Sequence, residues 1–129
     1  MKKLLVWCAA LIIGVAASAQ DKKQDWKEMH SFHGVMSKTF HPAEEGNVAP
    51  LKENATALVQ KAKEWQSSTV PQGYNGSVTK PILAKLVKQC ESIDKAVKKG
   101  KKDDELVKMI TQAHDIFHEI MEKCKDEKH

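Results

Sequence analysis

Arginine is absent from the 129 residues, so every basic side chain other than histidine is a lysine. The chain therefore lacks the planar guanidinium fork that grips phosphates and guanine edges at two points. Its lysines are interspersed with 17 acids, and only Lys98, Lys99, Lys101 and Lys102 cluster, around a turn. That cluster reads as a solvated loop, and no nucleic-acid partner is expected. Also missing are a nucleophile elbow, a phosphate-cradling glycine loop and a convincing pair of catalytic carboxylates, so no enzyme is expected. Internal repeats, β-type alternation and a second domain are absent as well.

Long apolar runs are scarce too. One extends from Leu4 to Ala17, behind Met1-Lys2-Lys3 and ahead of Ala17-Ser18-Ala19. A basic start, a short apolar stretch and a small-x-small site specify a secretory signal peptide over residues 1–19, cut after Ala19. The run is too short to prefer a membrane span. The expected location is periplasmic (or secreted), with no stable membrane insertion after cleavage. Cys8 leaves with the leader, and Trp7 stands where a lipoprotein signal would carry a small residue. The remainder, Gln20 to His129, suffices for one small domain with one core. Losing Lys2 and Lys3 halves its formal charge of +4.

Two of the three cysteines survive this cut, Cys90 and Cys124. In a hairpin turning near Gly100, Cys124 lies roughly 18 Å beyond the level of Cys90 at 1.5 Å per residue. That exceeds disulfide reach, so both are expected to be buried small hydrophobes.

What remains reads as four amphipathic helices, over about 25–40, 50–66, 81–98 and 104–125. The second carries Leu51, Ala55, Leu58, Ala62 and Trp65 at steps of four and three, the spacing of a core stripe. The third repeats this with Leu83, Leu86, Cys90, Ile93 and Val97. Pro42 is expected to end the first, because the residue before a proline avoids the α region. Gly100 suits the end of the third, and Asp103 to Glu105 suit the start of the fourth. Gln20 to Gln24 is a polar start, and 67–78 is a loop. The expected fold is all-α, a single up-down-up-down antiparallel four-helix bundle following the leader.

Chemistry concentrates in histidine. Five of the six histidines fall within Met29–His41 and His114–His118; His129 ends the chain. His114 and His118 stand four apart, on one helical face, at the edge of an arc formed by Leu106, Ile110, Ala113, Phe117, Ile120 and Cys124. His30 and His33 lie at a similar height on the antiparallel first helix. Imidazoles leaning toward a core need partners, and neutral imidazole suits zinc, copper, nickel and iron. The expected ligands of such a transition-metal ion are His33, His114 and His118, then His30. His41 and Glu44 or Glu45 are expected as peripheral ligands. The role would be metal binding, buffering or sensing.

Part of the chain resembles the soluble periplasmic b-type cytochromes, four-helix bundles that hold a non-covalent haem. Ser92-Ile93-Asp94-Lys95-Ala96-Val97 with its Lys/Gly turn is similar to the end of their third helix. Phe117-His118-Glu119 resembles their aromatic-His pair, and Met29 sits about where that family has its axial methionine. The resemblance implies haem b held by Met29 and His118, with His30 or His33 as substitutes for Met29, and electron transfer to a redox partner protein. His30, His33, His41 and His114 exceed that ligand set, and the Cys-x-x-Cys-His tether of the related cytochrome c-prime bundles is absent. Direct ion coordination is therefore ranked ahead of haem. A cofactor-free structural or partner-binding bundle is the third expectation, with an exposed Trp26 or Trp65 as its mark.

Overall fold

A computed structural model describes residues 25–123. The stretches read as a signal peptide and a polar start, with Cys8, Cys124 and His129, lie outside the described residues. The described chain is four α-helices: α1 Lys27–Glu44, α2 Ala49–Ser67, α3 Gly76–Lys98 and α4 Asp103–Lys123.

Helix α1 continues through Pro42 instead of stopping before it. Proline cannot donate to the carbonyl four residues back, but that carbonyl belongs to Lys38, an exposed residue. Ala43, fully buried one residue later, holds the last turn against the core. The Glu45 and Asn47 N–H groups then close on the Pro42 carbonyl, and Gly46 donates to Ala43 with φ at 92°. That positive φ is cheap only for glycine.

In α2 the stripe Leu51, Ala55, Leu58, Ala62 and Trp65 is buried throughout. Helix α3 begins at Gly76, five residues ahead of the start expected at Pro81. The Asn75 side chain accepts from the N–H groups of Ser77 and Val78 at 3.1 and 3.3 Å. This cap nucleates a first turn that an apolar stripe alone does not reveal. The donor that Pro81 lacks would have served the exposed Ser77. Replacing Asn75 with alanine should therefore cost about 1 kcal/mol in chemical denaturation. Helix α4 opens with Asp103, Asp104 and Glu105 on its positive end.

Each helix packs on its sequence neighbours, and α1 also packs on α4, closing a ring of four. Among the described residues the backbones of the diagonal pairs α1/α3 and α2/α4 stay apart, and α2 meets α4 through side chains, Trp65 with Phe117 and Lys52 with Asp103. Inside the ring lie Phe32, Met36, Leu58, Trp65, Leu86, Ile93, Ile110 and Ile120, none of them measurably exposed. Cys90 joins them, and burial first, then the Glu91 charge, pushes its thiol up to about 12. Among the described residues no helix is long and apolar enough to cross a membrane.

Candidate metal site on the α1/α4 seam

On α4 the inward positions are Ala113, Phe117 and Ile120. One step around the helix from them, His114 is half-buried and His118 is exposed. On α1 the inward positions are Phe32, Met36, Phe40 and Ala43, which leaves His33 and His41 exposed at the margin. The seam between these helices is consequently edged by imidazoles resting on phenyl rings. His114 lies flat on Phe40, with centroids 3.8 Å apart and planes 7° from parallel. His33 lies flat on Phe117 at 5.1 Å and 12°.

His118 meets His114 edge to face, with centroids 4.5 Å apart and planes at 66°. His41 Nδ1 lies 3.6 Å from Glu44 Oε1 across one helical turn. Both members of that pair bear electrostatically on His114. His30 stands apart, its Nε2 4.0 Å from the exposed Asp25 carboxylate. Glu45 is exposed, and its backbone closes the helix end. Met29 is in the core.

The structure thus groups the expected ligands differently from the sequence. It joins His114 to His118 and sets His41 and Glu44 in reach of His114's field, where sequence alone had ranked His30 above them. His33 faces Phe117 instead of the other imidazoles. In the side-chain positions of the structure, no group of three or more His, Cys, Asp or Glu residues among the described residues is arranged to hold an ion. The nearby Glu119 carboxylate is engaged by Lys85 at 3.3 Å and Lys123 at 3.6 Å.

Burial, followed by the neighbouring His118, lowers the His114 pKa below 6.5; His41 adds to this, while Asp115 and Glu44 oppose it. His114 is therefore neutral at pH 7, with a ring nitrogen available as a ligand. The unfolded chain binds this proton more tightly than the folded one. Stability from His114 is then fully present above pH 6.5 and falls as the pH drops from there through the lower folded value. Thermal unfolding followed between pH 7 and 5 should show this loss, and His114→Gln should flatten that part of the profile.

Two features lay beyond sequence reasoning. Phe40 showed only as one more apolar position on its arc, yet it is the platform that orients His114. Trp26 and Trp65, whose exposure would have marked a partner surface, are instead buried, at 2% and 0%. They form an aromatic cluster with Tyr74 and Phe32. No protein family, curated protein or solved structure matches the chain.

Proposed function

We propose that this chain binds a transition-metal ion at the open edge of the α1/α4 seam, with His114 and His118 as its principal ligands. The observation that carries this reading is the His114–His118 pair itself, two imidazoles 4.5 Å apart on one helical face. Histidines at this spacing are a recurrent zinc-binding arrangement on helices, and the Phe40 stack limits the rotation that His114 would lose on binding. His41 and Glu44, on the facing helix, complete the ligand set after side-chain rotation. Mixed imidazole and carboxylate donors suit zinc, copper, nickel or iron(II).

An ion is favoured over haem. An axial pair needs both side chains turned into one interior slot, whereas Met29 is buried and His118 is exposed. Phe117, not its histidine neighbour, occupies the interior, against Phe32 and Trp65. The up-down-up-down course is supported by Trp26 at the start of α1 meeting Trp65 near the end of α2. The Lys52–Asp103 ion pair, which joins the starts of α2 and α4, supports it equally. With the leader read in residues 1–19, the protein acts as an exported metal-binding, buffering or sensing protein of the periplasm, not as an enzyme.

The test is elemental analysis and an absorption spectrum of the processed protein, purified without a histidine tag. One bound zinc, copper, nickel or iron per chain without a Soret band is expected. A Soret band, or no metal after dialysis against micromolar ion, overturns the reading.

A further inference from the structure

The link between α2 and α3 runs into α3 through Asn75 and Gly76. An asparagine followed by glycine is the pair whose side-chain amide is lost most readily. The attacking group is the backbone nitrogen of the second residue, and glycine presents it with no Cβ to crowd the approach. Asn75 is exposed to the water that the reaction consumes. The chain's other asparagines, Asn47 and Asn54, precede Val48 and Ala55, whose side chains hinder the same attack. The Asn54 amide is also tied to the Pro50 carbonyl at 2.8 Å.

Folding sets the timing of this chemistry. Asn75 Oδ1 accepts from the Ser77 hydroxyl at 2.9 Å and from the N–H groups of Ser77 and Val78 at 3.1 and 3.3 Å. The Asn75 carbonyl accepts from the Thr79 N–H at 2.9 Å and from its hydroxyl at 2.7 Å. These bonds hold the Asn75 backbone at a ψ of 103°. Closing a succinimide ring requires the Gly76 nitrogen and Asn75 Cβ on the same side of the Cα–C bond. At that ψ they stand on nearly opposite sides, so the capped state is closed to the reaction. The first turn of α3 has to open, and it is lightly held. Gly76 is a poor helix former, and Pro81 supplies no N–H to the Ser77 carbonyl.

We propose that Asn75 is a site of spontaneous deamidation, gated by opening of the first turn of α3 and independent of the metal site. The Gly76 nitrogen gives its proton to solvent and bonds to Asn75 Cγ. The bond from Cγ to Nδ2 breaks, ammonia leaves, and a succinimide remains. Water then opens the ring at either carbonyl, to aspartate or to isoaspartate. The balance is one asparagine and one water to one acid and one ammonia, with no other reactant. Aspartate re-forms the cap when the turn closes. It also adds a negative charge at the positive end of α3, whose first turn has no acid. Isoaspartate routes the main chain through Cβ and Cγ, so its carboxylate no longer sits where the cap requires.

The full chain is held at mildly alkaline pH, folded in buffer or unfolded in urea, and sampled over weeks. Peptide mass spectrometry follows the amide-to-acid conversion at Asn75, with Asn47 and Asn54 as internal controls, and enzymatic methylation measures the isoaspartate. The unfolded chain should convert at least about tenfold faster than the folded one, a gap set by the free energy of opening the turn. Ser77→Ala removes one of the three bonds onto Asn75 Oδ1, and should hasten conversion in the folded protein but not in urea. Gly76→Ala should suppress conversion in both. Its added Cβ meets only Val70, at 3.6 Å, so the fold accommodates it. Equal rates in buffer and urea overturn the gate. No conversion of the folded protein, or conversion of Gly76→Ala at the wild-type rate, overturns the site.

Discussion

Alanine at His118 is expected to abolish stoichiometric loading of zinc or copper, and alanine at His114 to impair it as severely. Each substitution removes one of the two imidazoles that the same helical face brings together. The loss should exceed the roughly 10–100-fold that disturbing a mere outer-shell support costs a metal site. Phe40→Ala belongs in that lesser range, because it removes only the surface on which His114 lies. His41→Ala and Glu44→Ala should each weaken affinity without eliminating it. His30→Ala should change nothing, since His30 lies beside the Asp25 carboxylate at the other end of α1. Isothermal titration of each variant with zinc distinguishes these effects. If His114→Ala and His118→Ala bind as the wild type does, the site lies elsewhere. If His30→Ala is the damaging change, the ligands are drawn from the start of α1.

The second large effect is on stability. Trp65→Ala should destabilise the protein by about 3–5 kcal/mol. Its ring is fully buried and touches Trp26, Phe32 and Phe117, so truncation opens a cavity walled by three other large side chains. Against a total stability of about 5–15 kcal/mol for a domain, this is enough to unfold a marginal bundle at elevated temperature. Trp65→Phe should cost far less. It opens a smaller void and also removes a buried, unpartnered N–H whose desolvation costs about 1–3 kcal/mol. Urea unfolding of both variants checks the pair. A Trp65→Phe protein as unstable as Trp65→Ala would mean that the indole N–H is satisfied after all, for instance by the face of a neighbouring ring.

The helices and their inward faces were legible because a helix repeats every 3.6 residues and burial follows the apolar stripe. Leu51, Leu58 and Trp65 in α2 and Leu83, Leu86 and Ile93 in α3 are core residues, as their spacing demands. The ends were less legible, because hydrogen bonds set them and not periodicity. Asn75 starts α3 early through two bonds from its side chain. Pro42 failed as a stop because its penalty falls on the carbonyl of an exposed residue, Lys38, while Ala43 is buried beyond it. Histidine was harder still. Spacing places an imidazole on a face, but it does not say whether the ring finds another imidazole, a phenyl or water.

From its order of residues alone this protein was bound to form amphipathic helices with histidines gathered on the margins of two of them, since both facts follow from local periodicity and composition. Only the tertiary structure decided which rings meet. His114 turned onto Phe40 and toward His118, His33 onto Phe117, and the tryptophans turned inward to Tyr74. Those choices depend on how α1, α2 and α4 approach one another, a matter of packing between residues distant in the chain that no local pattern encodes.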